Sequence, residues 1–346
     1  MSWSDILEHE DVIEAFRRAV SRGRLASTFL FIGPAGIGKR TVAQKLAQAL
    51  LCETTCEDSL ELCGECPSCL QVQAGTHPDL EFVRRPPEKA FIPLELFIGD
   101  KEHRNREGLC HRIALKPMRG RRKIAVIDDA DYLNVAGANC LLKTLEEPPP
   151  RSVIILIGTS TQRQLPTIRS RSQIVRFRPL GHESVEQLLL KNELVEAADE
   201  ANALAALSEG SIQQALALSD PELREFRDAF MRMLPDVAGD SVEVAKAVMR
   251  FVEAAGKDAP LKRARLKLIA QWGMSYFRIA MRDGAADASG PLDCEQAADL
   301  AERCMDVVQH VDANANLTSV VEAWIDDLAR RIDARLTAVA PVAARR

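Results

Sequence analysis

The stretch GPAGIGKRT at residues 33–41 decides the fold of this chain. It follows the apolar run TFLFI at residues 28–32 and opens KRTVAQKLAQALL at residues 39–51, whose Ala and Leu spacing predicts a helix. A glycine-rich loop between a buried strand and a helix is typical of a phosphate-binding loop, in which backbone N–H groups and a lysine face a phosphate. The candidate residues are Gly33, Gly36, Gly38, Lys39 and Thr41.

One residue departs from the loop signature G-x-x-x-x-G-K-[ST]. The signature places a hydroxyl after the lysine to hold Mg²⁺, whereas this chain has Arg40 there. Thr41, one position on, would point about 100° away around the helix. The pattern therefore predicts the fold more strongly than it predicts ATP hydrolysis, and we expect binding of ATP and Mg²⁺ to be weak or absent.

Apolar strands alternate with helical segments up to about residue 180. This alternation predicts an α/β domain over residues 1–180, with a mainly parallel sheet and flanking helices. The predicted strands lie at residues 28–33, 79–84, 123–129, 152–160 and 173–180.

The run KIAVIDD at residues 123–129 ends in two acids. A phosphate-binding loop needs a carboxylate at a strand end to organise Mg²⁺, and Asp128 stands at that place, followed by Asp129. A surface acid at a strand end is the plainer alternative. The loop upstream makes that alternative the less favoured of the two.

The composition changes after residue 180 to Ala, Leu and charged residues without a convincing β run. We predict a small helical domain over residues 181–219. Pro221 then marks the start of a longer helical region, residues 220–346.

The hydropathy of the chain argues against a membrane-spanning protein. The chain has 346 residues, 47% of them hydrophobic, and a net charge of −5, but no run of about 18 apolar residues that could span a membrane. No basic, apolar leader is visible, so we expect a cytoplasmic protein with no membrane partner. The basic stretch KPMRGRRK at residues 116–123 could neutralise DNA phosphates, although a solvated turn before a strand explains it at least as well.

Five of the nine cysteines crowd into residues 52–69. In a reducing compartment such crowding indicates a metal rather than disulfides, and four thiolates fit a closed, structural zinc site. Cys56 could replace Cys52, His77 is a weaker candidate, and an iron–sulfur cluster is the competing interpretation. The candidate zinc ligands are Cys52, Cys63, Cys66 and Cys69.

Three motifs together resemble one family. GPAGIGKRT, AVIDDADYLNVAGANCLLKTLEEPPP and TIRSRSQ are similar to subunits of the bacterial DNA polymerase III clamp loader, the delta-prime and gamma/tau proteins of the AAA+ family. The resemblance covers roughly residues 1–220. It implies an AAA+ α/β module with a zinc module at residues 52–74, a helical lid, and an all-α collar through which subunits form an open ring.

The resemblance also implies roles for single residues. Arg171, in Ser-Arg-Ser, matches the arginine that such a subunit lends to the ATP site of its neighbour. Asp129 stands where active relatives usually place a glutamate, and Gln214 where their lid carries an arginine. Together with Arg40, these departures predict an impaired pocket in a chain that keeps the arginine used by a neighbouring subunit.

We therefore expect a delta-prime-type subunit of the polymerase holoenzyme that helps load the sliding clamp onto primed DNA without hydrolysing ATP itself. Its partners would be the gamma/tau motor and delta subunits. One alternative is a gamma-like ATPase that uses Lys39, Thr41 and Asp128. A second is a zinc-dependent DNA-binding module on an inactive AAA+ fold.

Overall fold

Five strands form one sheet in the N-terminal part of the chain. They are seen in a computed structural model that describes residues 3–119, 121–286 and 293–338. The strands are β1 (Thr28–Ile32), β2 (Leu80–Val83), β3 (Lys123–Ile127), β4 (Ser152–Gly158) and β5 (Gln173–Arg176). All four pairings are parallel, and the order is β2-β3-β4-β1-β5.

The three central strands, β1, β3 and β4, are buried at every position. A parallel sheet is covered on both faces, which is why these strands read as nearly continuous apolar runs. The predicted α/β fold with a parallel sheet is confirmed. Strand β5 is shorter than predicted, because it ends at Arg176 and Pro179 has no N–H to donate to a ladder.

Helices cover both faces of this sheet. Side chains of β1 alternate between two apolar clusters, with Phe29 and Phe31 in one and Leu30 and Ile32 in the other. Phe16 packs on the first face, with its ring centroid 4.8 Å from that of Phe29. Burying a phenylalanine of this kind contributes about 1.5–3 kcal/mol.

Ten helices belong to the described residues of the N-terminal unit, residues 1–219. The last three follow the sheet directly and form the helical segment predicted over residues 181–219. They are α1 (Glu10–Ser21), α2 (Lys39–Leu51), α3 (Pro67–Ala74), α4 (Glu95–Ile98), α5 (Leu109–Ala114), α6 (Val135–Glu146), α7 (Pro166–Arg169), α8 (His182–Lys191), α9 (Ala198–Leu207) and α10 (Ile212–Leu218).

The described part of the C-terminal unit, residues 220–346, contains helices joined by short loops and no strand, as predicted. Side chains of Asp220, Asp240 and Asp293 accept hydrogen bonds from N–H groups in the first turns, which fixes where three of the helices begin. The helices are α11 (Pro221–Met233), α12 (Ser241–Glu253), α13 (Ala259–Ala286), α14 (Cys294–Asp312) and α15 (Leu317–Ala338).

Aromatic rings hold this helical unit together. Phe226 stacks on Phe251 at 3.8 Å between centroids, and Phe230 lies 6.0 Å from Trp324. Among the described helices of the whole chain, none is both long enough and apolar enough to cross a membrane.

Candidate functional site

The loop between β1 and α2 turns tightly because glycine occupies its two positive-φ positions. Gly36 has a φ of 74° and Gly38 a φ of 96°, which side chains other than glycine rarely adopt. Gly38 is the N-cap of α2 and leaves the helix without a side-chain cap. The first N–H groups of α2 are therefore suited to bind an anion.

Lys39 folds back into this loop. Its side-chain nitrogen donates to the carbonyl oxygen of Gly33 at 2.6 Å and also to that of Pro34, and the residue is only 6% exposed. Burial lowers the pKa of Lys39 to about 8, although the carboxylates of Asp131 and Asp128 partly oppose the shift. The loop thus keeps a partly desolvated ammonium group.

Arg40 reaches the acid that was predicted to organise Mg²⁺. Its Nη1 lies 3.7 Å from Oδ2 of Asp128, and its guanidinium carbon lies 4.7 Å from the centre of the Phe82 ring. Phe82 on β2 pairs with Val126 on β3, which places the ring beside the strand end that carries Asp128. The residue at the metal-ligand position therefore brings its own positive charge to that carboxylate.

Asp129 follows β3 in a backbone conformation with a φ of 60°. Aspartate tolerates this left-handed region better than most residues. Burial raises the pKa of Asp129, the adjacent Asp128 raises it further, and Arg85 opposes both effects. The protonated form of Asp129 is thus favoured relative to a free aspartate.

A cleft of about 810 Å³ lies over the loop, within the range typical of ligand sites. It brings together the predicted residues Gly36, Gly38, Lys39, Thr41, Asp128 and Asp129, while Gly33 contributes the carbonyl that holds Lys39. The rest of the lining includes His9, Arg40, Asp131, Thr159, Lys191, Ile212 and Gln213.

The segment before α1 connects the loop and α2 to helix α8, and no sequence pattern indicates this. The buried His9 ring shares a hydrogen bond with the carbonyl of Ile37 at 2.8 Å. Asp5 bridges Lys45 on α2 and Lys191 on α8, both at 3.0 Å, and its pKa falls to about 2 through these bonds. These contacts join residues that lie far apart in the chain, so no local pattern could reveal them.

Asp131 is a second residue that sequence reasoning missed. Its carboxylate accepts hydrogen bonds from the backbone N–H and the hydroxyl of Thr159, at 2.9 and 2.6 Å, and from Gln164. These bonds join the turn after β3 to the end of β4, and both Asp131 and Thr159 line the cleft. The third acid in DDAD, after Asp128 and Asp129, was the available signal.

Helix α10 packs directly on the loop. The N–H of Ile212 donates to the carbonyl of Gly36 at 3.0 Å, and a Cβ on Gly36 would lie 2.4 Å from Oγ of Ser211. Gln213 lines the cleft, whereas Gln214, which was predicted to stand in the place of the arginine, is not part of the lining. Contact with α10 is therefore a second reason for glycine at position 36.

The four cysteines predicted as metal ligands lie together. Sγ of Cys52 is 3.7 Å from that of Cys63 and 3.9 Å from that of Cys66, and the sulfurs of Cys63 and Cys69 are 3.8 Å apart. All four sulfurs lie within 4.8 Å of one another. A tetrahedral ion with metal–sulfur bonds of about 2.3 Å places its sulfurs about 3.8 Å apart. The cluster can hold one metal ion.

Backbone N–H groups surround these sulfurs. Sγ of Cys63 accepts from the N–H of Cys66 at 3.2 Å and from that of Glu65 at 3.4 Å. Cys56 is exposed and stands outside the group. Both nitrogens of the His77 ring are engaged elsewhere, with Ser68 and with the N–H of Asp79. Neither Cys56 nor His77 joins the group that the structure brings together.

Much of the positive charge in the basic stretch 116–123 is paired with nearby acids. Arg122 pairs with Glu57, and Arg119 lies 3.4 Å from Glu53. Lys123, which is 4% exposed, lies 3.5 Å from the fully buried carboxylate of Asp79. Two arginines of this stretch therefore pair with acids of the cysteine-containing segment, and Lys123 pairs with Asp79 just before β2.

Arg171 follows the short helix α7 and does not line the cleft described above. Its guanidinium pairs with Glu146 at 2.6 Å and donates to the carbonyl of Thr167 at 3.1 Å. The side chain is 32% exposed. Its guanidinium also donates to the hydroxyl of Ser170 at 3.1 Å, so three contacts hold Arg171 at a place apart from the chain's own cleft.

A model of the family described as DNA polymerase III, delta subunit, matches residues 8–181, just over half of the chain. The chain belongs to this family. The match contains the loop, both strand-end acids, the cysteine cluster and Arg171, so the predicted relationship to subunits of DNA polymerase III is confirmed.

Two individual relatives of this chain are also named as subunits of DNA polymerase III. The chain is 39% identical over 209 residues to the DNA polymerase III subunit delta′ of Pseudomonas aeruginosa, covering 60% of each protein. It is 31% identical over 223 residues to subunit tau of Escherichia coli, which spans 63% of this chain and 32% of the relative. A solved gamma subunit-related protein from Thermotoga maritima covers 92% of the chain with 17% identity and a TM-score of 0.44.

Proposed function

We propose that this chain is the delta-prime-type subunit of a DNA polymerase III clamp loader, helping to place the sliding clamp on primed DNA. Its partners are the gamma/tau and delta subunits of the same assembly. Support comes from the family match and from the 39% identity to a delta′ subunit. The C-terminal unit is the candidate collar, and residues 181–219 the candidate lid.

Within that assembly we propose a subunit that does not turn over ATP. The observation that carries this proposal is the contact of Arg40 with Asp128 at 3.7 Å. Phosphoryl transfer in phosphate-loop enzymes depends on Mg²⁺ held by a loop hydroxyl and a strand-end acid. Here the hydroxyl is absent from position 40 and the acid is already paired with a cation. Asp129 is also shorter than a glutamate and has a raised pKa.

Arg171 is proposed to act on a neighbouring subunit. It lies apart from the chain's own cleft and is partly exposed, so a second protein can reach it. An arginine supplied across an interface stabilises charge on the transferring phosphoryl group, an effect of about 10³–10⁵ in rate. The pairs with Glu146 and Thr167 hold its guanidinium before that interface forms.

The cysteine cluster is proposed to hold a structural zinc ion. Four thiolates leave no open position for water, and the sulfur spacing suits one ion rather than a cluster of several iron atoms. Arg119 and Arg122 bind this segment to the sheet domain through Glu53 and Glu57. Since those arginines are engaged, stiffening of the domain is better supported than DNA binding.

The arginine role can be tested in the reconstituted clamp loader with primed DNA. Arg171→Ala is expected to lower the ATP turnover of the complex without preventing its assembly, because one ATP site loses its arginine. Arg169→Ala is the matched control, since Arg169 is exposed and two residues away. Equal turnover in the Arg171→Ala and wild-type complexes would remove the proposed role.

A further inference from the structure

The donor set of the cleft does not fit Mg²⁺. A divalent ion in a phosphate-binding loop is held by a hydroxyl after the lysine and by a strand-end carboxylate. This chain places Arg40 at the first position and pairs it with Asp128 at the second. We propose that the cleft binds the polyphosphate chain of a nucleotide without a divalent cation, with the Arg40 guanidinium in the place of the ion.

The guanidinium of Arg40 can contact the carboxylate and a phosphate at the same time. It carries five N–H donors in one plane, and the contact with Asp128 is made through Nη1. The Phe82 ring beneath it, 4.7 Å from the guanidinium carbon, limits the orientation of that plane. The remaining donors can bind phosphate oxygens in the bidentate manner typical of arginine.

The charges around Asp128 also disfavour a divalent ion. The carboxylate is mostly buried, with 16% of its side chain exposed, and its negative charge is balanced by Arg40. An added Mg²⁺ would lie against a guanidinium in a partly desolvated place, where repulsion is stronger than in water. A nucleotide without bound metal carries more negative charge and suits a site with a fixed cation.

The other phosphate-binding parts of the loop are kept. Gly36 and Gly38 hold the positive-φ conformations that turn the backbone around an anion, and α2 begins without a side-chain cap. Lys39 bonds to the carbonyls of Gly33 and Pro34 and is within the cleft lining. A nucleotide phosphate can therefore meet a lysine, an arginine and the first N–H groups of α2 together.

Calorimetric titration of ATP into the purified full chain tests this proposal. One buffer is freed of divalent ions with a chelating resin and the other contains Mg²⁺. A soluble chelator is avoided because it would remove a metal ion from the cysteine cluster. We expect the wild-type chain to bind ATP at least as tightly without Mg²⁺ as with it. Binding that requires Mg²⁺, or no binding up to about 1 mM ATP in either buffer, would overturn the proposal.

Two variants test whether Arg40 is the residue that allows ATP to bind without Mg²⁺. Arg40→Ser is expected to weaken ATP binding in the Mg²⁺-free buffer by about tenfold or more, because a charge-assisted contact to phosphate is lost. Arg22→Ser removes the same charge from an exposed position outside the cleft and should bind like the wild type. Wild-type affinity of Arg40→Ser without Mg²⁺ would contradict the proposal. The result leaves the clamp-loader role untouched, since that role rests on Arg171 and assembly.

Discussion

The cysteine cluster and the phosphate-type cleft lie in the same unit. They differ in how many of the side chains that each kind of site requires are present. In the cluster, all four donors converge at the spacing of a single ion. In the cleft, the backbone shape is kept, but Arg40 now neutralises Asp128. A site built on backbone geometry can keep its fold after its chemistry has changed, whereas a metal site depends on each of its side chains.

The largest expected effect comes from breaking the cluster. Cys66→Ser should lose the metal and lower the free energy of unfolding by about 4 kcal/mol or more, because ion binding and folding are coupled. Metal analysis and urea unfolding measure the two quantities. Cys56→Ser is the control, since Cys56 is exposed and outside the group. Iron in the purified chain, or full metal content in Cys66→Ser, would contradict the zinc assignment.

An intermediate effect on stability is expected when Lys39 in the cleft is replaced. Burial lowers the pKa of Lys39 to about 8, so the folded state disfavours its charged form and loses stability at neutral pH. This cost disappears as the pH rises from about 8 through the unfolded value of about 10.4. Lys39→Met removes this cost but also leaves the carbonyls of Gly33 and Pro34 without the lysine donor, so the expected result is a pH dependence. Raising the pH from 7 to about 10 should stabilise the wild type relative to Lys39→Met by about 2–3 kcal/mol.

Urea unfolding at pH 7 and near pH 10 checks this prediction. The wild type should gain stability relative to Lys39→Met as the pH rises. A difference that stays constant across that range would show that Lys39 is not the group responsible. A cleft that keeps a lysine at a cost in stability is expected to retain a phosphate ligand.

The smallest effect is expected at the edge of the cysteine segment. Arg122→Ala removes a partly exposed pair with Glu57 and should cost about 0.5–1 kcal/mol without loss of metal. Urea unfolding and metal analysis of the same sample check both parts. Loss of metal in Arg122→Ala would mean that the pair, and not the four cysteines alone, holds the segment in place.

Local patterns were enough to predict the sheet and the cysteine cluster. Strands β1, β3 and β4 show as apolar runs because both of their faces are buried. The cysteines stand out because three of them repeat at a fixed spacing and the fourth is close in sequence. In both cases the residues that form the feature are near one another in the chain.

Distant contacts could not be predicted in the same way. The pairing of Arg40 with Asp128 depends on the strand order, in which only β4 lies between β1, which precedes the loop, and β3, which ends just before Asp128. The contact of His9 with Ile37 and the double bridge made by Asp5 depend on the path of the segment before α1. The sequence showed that Arg40 was unusual, but only the fold shows which group it contacts.

ATP turnover by the purified full chain, with Mg²⁺ and saturating ATP, tests the central claim about the cleft most directly. Lys39→Ala, prepared in the same way, gives the background of contaminating ATPases. We predict that the wild type and Lys39→Ala show the same low rate. Turnover by the wild type that disappears in Lys39→Ala would show that the cleft hydrolyses ATP, and would favour a gamma-like motor over the proposed non-hydrolysing subunit.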